Sequence, residues 1–194
     1  MTLKELNIIN FKNIAEATLT FTSGFNCFVG NNGVGKTNVL DAIYHLSMCK
    51  SYFNLPDLQN IRHEEPFFVV QGKYERGGEE LTVYCGVKRG QKKVFKKNQK
   101  AYDKLSEHIG LIPLVMISPE DFILIDGGSE ERRKLVDGII SQCDRVYLHR
   151  LIRYNKALTQ RNLLVNFSIL KCWKYGTSNW PNMEKRSAKK GSRF

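Results

Sequence analysis

Residues 30–37 read GNNGVGKT, which fits the phosphate-binding pattern G-x-x-x-x-G-K-[ST]. At ordinary Gly and Lys frequencies a random chain of 194 residues shows that pattern roughly once in a hundred. Gly30, Gly33 and Gly35 allow the backbone to turn sharply and bring its N–H groups against phosphate oxygens, where a side chain would not fit. Asn31, Asn32 and Val34 complete the loop. A helix opening near Lys36 adds its positive end, Lys36 reaches the β- and γ-phosphates, and Thr37 offers its hydroxyl to Mg²⁺. The motif needs a strand before it and a helix after it. Phe25–Val29 is a short apolar run suited to the strand, and Thr37–Met48 carries Val39, Leu40, Ile43 and Leu46 at helical spacing. An α/β fold that binds nucleotide phosphates follows. The base and the reaction stay open, although Asn155-Lys156-Ala157-Leu158 lacks the acid of a guanine-reading N-K-x-D, which argues against GTP.

Other segments extend the plan. Leu3–Phe11 and Ala15–Phe21 have strand character, the second with Ala17, Leu19 and Phe21 on one side and Glu16, Thr18 and Thr20 on the other. Phe67–Tyr74 and Leu81–Val87 form an expected hairpin around Arg76-Gly77-Gly78. Val94-Phe95, flanked by Lys92, Lys93, Lys96, Lys97 and Lys100, suits a third strand, with lysines able to meet nucleic-acid phosphates or simply to face solvent. Helices are expected after Pro119, from a cap at Ser129 with Glu130 and Glu131 in the first turn, and from about Asp144 to Arg161. Beyond Leu170 no apolar period persists, so the end of the chain reads as disordered.

Hydrophobic content of 42% and charged content of 25% suit a globular protein, and no run approaches the ~18 apolar residues of a membrane span. Five scattered cysteines without a C-x-x-C pair point to free thiols in a reducing cytoplasm. The net charge of +11 is uneven: residues 163–194 hold seven Lys/Arg against one Glu, more than half the excess. Such a tail attracts phosphate backbones without specificity.

Three stretches together resemble the RecF family of DNA replication and repair ATPases, within the ABC-type branch that includes the chromosome-maintenance proteins. They are Leu6–Asn13 (LNIINFKN), Gly30–Asp41 (GNNGVGKTNVLD) and Ser118–Asp137 (SPEDFILIDGGSEERRKLVD), and the resemblance covers about residues 1–162. It implies the N-terminal portion of an ABC-type P-loop ATPase head: residues 1–117 a core portion with an antiparallel β subdomain and 118–162 a helical segment; residues 163–194, outside the resemblance, read as a disordered basic tail. It implies that residues 30–37 bind ATP and Mg²⁺, with Lys12 and Asn13 near the nucleotide and Thr37 on the metal. Arg132 and Arg133 match paired arginines of the family, and their other reading is a solvated helix face beside Glu130 and Glu131. The isolated His45 and His63 have no ligand-like partners in sequence. The family's partners would be single-stranded and duplex DNA, other recombination mediator proteins and a second copy in an ATP-dependent homodimer, within DNA repair and the SOS response.

The family's Leu-Ser-x-Gly-Gln signature and acidic Walker B strand are not found: Leu46-Ser47 continues as Met-Cys-Lys, and Ile123-Leu124-Ile125-Asp126 imitates a Walker B inside the Ser-Pro segment. Hydrolysis by this chain is therefore expected to be negligible, and whether it is an enzyme stays open. Codons compatible with Lys171–Arg186, shifted by one base, permit a family-like Leu-Glu-Val-Trp-Asp stretch, so a frameshift between about Asn162 and Leu170 would account for the tail. Two other readings remain: a free-standing nucleotide- or DNA-binding module that does not hydrolyse, and a small P-loop kinase.

Overall fold

A computed structural model of the chain describes residues 1–174. Among the described residues six strands, β1 (Thr2–Phe11), β2 (Ile14–Thr20), β3 (Phe67–Arg76), β4 (Glu79–Lys88), β5 (Val94–Lys97) and β6 (Lys100–Ala101), form one sheet in the order β2-β1-β3-β4-β5-β6. Every pairing is antiparallel. Alternation decides which face is buried: Leu6 and Ile8 of β1, Phe68 and Val70 of β3, and Val83 and Cys85 of β4 are wholly buried on one face. Helix α1 (Lys36–Met48) covers that face and inserts Ala42 and Leu46, both fully buried. Burying a leucine of this kind contributes about 1.5–3 kcal/mol. Phe11 meets Phe68 edge to face at 5.1 Å and closes the core below the helix.

The β3–β4 hairpin forms as its sequence requires. Its register runs from Phe67 opposite Lys88 to Arg76 opposite Glu79, and Gly77 and Gly78 turn the chain with φ of 60° and 86°. Positive φ at both central residues matches the twist of the strands and suits glycine. Strand β5 pairs through Phe95 opposite Cys85, and β6 adds a two-residue return that the sequence pattern had not revealed.

After Ile112 the character changes. The 3₁₀ turn Pro119–Phe122 leads into the short helix α2 (Ile123–Asp126), then α3 (Ser129–Cys143) and α4 (Arg145–Lys174). The described residues group into two units, the first Met1–Leu148 and the second beginning at His149 within α4.

Several expectations are corrected here. Phe25–Val29 is not a strand: Phe25 and Val29 have relative exposures of 102% and 93%. Among the described residues no strand offers it a ladder. Asn26 instead ties the local turn, accepting from Thr22 N–H at 3.0 Å and donating to Thr22 O and Gly24 O at 3.1 Å. Ser129 does not cap α3; the cap position is Gly128, and the Ser129 hydroxyl accepts from Arg133. Residues 163–174, expected to be disordered, continue α4, while the rest of the expected tail lies outside the described residues. Asp144 opens that helix as a true cap, its Oδ1 accepting from Val146 N–H at 2.7 Å and Tyr147 N–H at 3.1 Å. The Walker B imitation, Ile123–Asp126, is the helical turn α2 with Asp126 exposed.

Candidate functional site

The loop of residues 30–37 is mostly exposed and leads into α1. Gly33 and Gly35 adopt φ of 85° and 104°, and Gly35 stands at the cap of α1 without any side chain capping the helix. No acid occupies the first turn of α1, so its positive end is open to an anion. A methyl group on Gly35 would sit 2.8 Å from Asn13 Oδ1, so glycine is required there by both conformation and space. Lys36 folds back over the loop and donates from Nζ to Gly30 O at 2.8 Å and Asn31 O at 2.7 Å. Two carbonyls are weak substitutes for an anion, and an ammonium in this position suits a phosphate group. Thr37 is exposed on the first turn beside it.

Asn13 organises the loop from the sheet side. It donates from Nδ2 to Gly33 O at 2.7 Å and accepts from Asn38 Nδ2 at 2.7 Å. Lys12 turns the other way. Its ammonium sits 2.7 Å from Asp41 Oδ2 and 4.7 Å from the Phe53 ring centroid, with its side chain nearly buried. Asn13 is therefore brought to the loop, whereas Lys12 is spent on Asp41, one helical turn beyond Thr37.

Asp41 closes the GNNGVGKTNVLD stretch, whose pattern assigns it no role. It is fully buried and accepts from Lys12, from Ser51 Oγ at 2.8 Å and from Tyr52 N–H at 2.7 Å. An acid among Val39, Ala42, Ile43 and Leu46, on the core-facing side of a helix, was the available signal. A second buried set lies at the other end of α1. Lys93 donates to Cys49 O at 2.7 Å and to Asp57 Oδ1 at 3.0 Å, and His45 Nε2 lies 3.2 Å from both Lys93 Nζ and Asp57 Oδ1. Burial lowers the His45 pKa, with the Lys93 ammonium adding to the effect and Asp57 opposing it. Thus one of the five lysines grouped around Val94 and Phe95 points inward and closes the C-terminal end of α1. His63 is exposed beside Glu64, and among the described residues no group of three His, Cys, Asp or Glu gathers as metal ligands.

Arg132 and Arg133 are held locally. Arg132 donates to Leu124 O at 3.2 Å and Gly127 O at 2.9 Å, and Arg133 donates from Nε to Ser129 O at 3.2 Å. Glu130 and Glu131 pair instead with Lys134.

Residues 1–137 match the family described as the AAA ATPase domain. The chain belongs to that family. Its curated relatives include the DNA replication and repair protein RecF of Phocaeicola vulgatus, 60% identical over 166 residues, covering 85% of this chain and 45% of the relative. RecF of Flavobacterium johnsoniae is 55% identical over 170 residues, covering 88% and 47%. A solved structure of the recombination mediator protein RecF-ATPrS in the RecFOR pathway superposes with a TM-score of 0.79 at 35% identity, over 85% of this chain and 45% of that one. The chain thus corresponds to the N-terminal portion of RecF and spans about half the length of the relatives it matches. A structure of SMC ATPases, described as showing ATP-driven dimerisation, has a TM-score of 0.59 at 19% identity over 72% of this chain and 99% of that one, which establishes the ABC-type head fold alone. Among the described residues no helix is long and apolar enough to cross a membrane.

Proposed function

We propose that this chain binds ATP through residues 30–37 as part of a RecF-type protein of DNA replication and recombinational repair. The observation that carries the reading is the loop itself: Lys36 Nζ rests on two backbone carbonyls at the uncapped N-terminus of α1, with Asn13 bracing Gly33. Thr37 would hold Mg²⁺, and the metal would supply charge neutralisation for the phosphates. Lys12 acts one step removed, by neutralising Asp41 beneath the loop helix.

At the level of the whole protein, the reading is of a cytoplasmic ATPase that forms a homodimer around ATP. It engages single-strand and duplex DNA at ends or junctions, works with other mediator proteins and supports the SOS response. The exposed apolar side chains at Phe25, Val29, Val115 and Ile117 fit packing against the remaining length found in its relatives. This chain alone should bind ATP without hydrolysing it at a useful rate, because no signature or Walker B acid stands in its sequence.

Equilibrium binding of ATP with Mg²⁺ to the purified chain tests the reading, with Lys36→Ala as control. Saturable binding that Lys36→Ala weakens at least about tenfold supports it, since a charge-assisted phosphate contact contributes about 1.5–3 kcal/mol. Equal binding by both proteins, or none by either, refutes it.

A further inference from the structure

We infer that Tyr52 is a positioning residue whose hydroxyl couples the phosphate loop to the Ser118–Phe122 turn, so that nucleotide binding alters the order of that turn. The inference rests on the nucleotide reading above and assigns a role to a residue outside the loop.

A run of polar contacts, joined through the Lys12–Asn13 peptide and through the body of Tyr52, links the two places. Asn13 grips Gly33 O, and its neighbour Lys12 places its ammonium 2.7 Å from Asp41 Oδ2. The other Asp41 oxygen accepts from Tyr52 N–H at 2.7 Å. The Tyr52 hydroxyl donates to Asp121 Oδ1, and Asp121 Oδ2 accepts from Ser118 N–H at 2.6 Å. Packing fixes the direction of the tyrosine: its ring stands edge to face against Tyr44 at 5.1 Å and Phe53 at 5.4 Å. Phe53 in turn lies beneath the Lys12 ammonium. Burial and then the Asp121 carboxylate push the Tyr52 hydroxyl up to about 12, so it stays a donor at any physiological pH.

Two features make the run responsive. Asp41 is fully buried, so its charge is tolerable only while Lys12, Ser51 and Tyr52 all point at it, and a shift in one is felt by the others. At the loop end, a phosphate would draw Lys36 from Gly30 O and Asn31 O, and the backbone would readjust around the Gly33 carbonyl that Asn13 holds. The Ser118 turn carries little apolar burial of its own, with Ile117, Phe122 and Ile123 all exposed, so one hydrogen bond weighs heavily in its order. A purely static brace would hold the turn equally with and without nucleotide. Coupling requires a difference.

Hydrogen exchange read by mass spectrometry on the full chain, with and without Mg²⁺-ATP, separates the two. In the unaltered chain ATP should slow exchange in residues 30–40 and, by about fivefold, in residues 118–126, the low end for linked sites. Tyr52→Phe keeps the ring and should preserve the response at 30–40 while abolishing it at 118–126. Asp121→Ala removes the Tyr52 bond together with the one from Ser118 N–H, so it should raise basal exchange at 118–126 and also abolish the ATP response there, and adding Tyr52→Phe to it should change nothing further. A response at 118–126 that survives in Tyr52→Phe, or that is absent from the unaltered chain while 30–40 responds, overturns the coupling. If ATP slows neither segment in the unaltered chain, the nucleotide reading itself has failed and the inference falls with it.

Discussion

The sheet with α1 and the segment from Val115 to Ile125 are similarly rich in apolar residues, yet they use them in opposite ways. In the first, Leu6, Ile8, Phe68, Val70 and Val83 are wholly buried, because each strand finds a ladder partner and α1 covers the shared face. In the second, Val115 and Ile117 have relative exposures of 68% and 82%, and Phe122, Ile123 and Ile125 are exposed as well. Phe25–Val29, just before the phosphate loop, behaves like the second region. Apolar content alone thus does not make a core. A segment is buried when a neighbour satisfies its backbone and covers its side chains together, and a contiguous exposed apolar surface marks a place for something further to bind.

The contrast can be broken by mutation. Phe68→Ala removes a ring at the centre of the covered face and should cost about 3–5 kcal/mol, read from the denaturant midpoint. Asp41→Ala should cost about 3 kcal/mol, since the nearly buried Lys12 ammonium would lose its carboxylate; Asp41→Ala combined with Lys12→Met should recover much of that loss. An outcome in which Asp41→Ala is neutral would mean that the Lys12–Asp41 contact is not formed in solution.

Acid should loosen the covered region in two stages. His45 is held neutral in the fold by burial, so the unfolded chain takes up its proton first, and stability should fall as pH drops below about 6.5 and level off beneath the folded pKa. His108, also lowered by burial, adds to this stage. Burial works to raise Asp57, but hydrogen bonds from His45 and Lys93 outweigh it and hold its pKa down. Its contribution is present above about pH 4 and is lost as pH falls through the folded value. Melting temperatures across pH 3–8 check both stages, and His45→Gln should shrink the first while leaving the second visible. The smallest effect belongs to the exposed region: Ile117→Ser should change stability by no more than about 0.5 kcal/mol. A loss of several kcal/mol there would show that the segment is covered in solution, and the contrast between the regions would collapse.

Much of the first region was legible because its signals are local. Gly77-Gly78 supplies the positive φ of a tight turn, the flanking runs alternate with a period of two, and the glycines of residues 30–37 mark a backbone that turns at positive φ. The strand expected at Phe25–Val29 failed for a different reason. Strand formation needs a partner that its own residues cannot provide, and among the described residues none is there. Lys93 misled in the opposite sense: a lysine among lysines reads as surface, but the C-terminal carbonyl of α1 and the Asp57 carboxylate draw it inward.

The sequence by itself determined the glycine-rich turn of residues 30–37, the helix that follows it, the hairpin and the family. Each is written in short-range patterns of glycine, charge and apolar period. Only the tertiary structure decided that Asn13 faces the loop while Lys12 faces Asp41, and that Tyr52 reaches Asp121. Those assignments join residues far apart in the chain, and their energies come from burial that no single segment possesses until the others have packed around it.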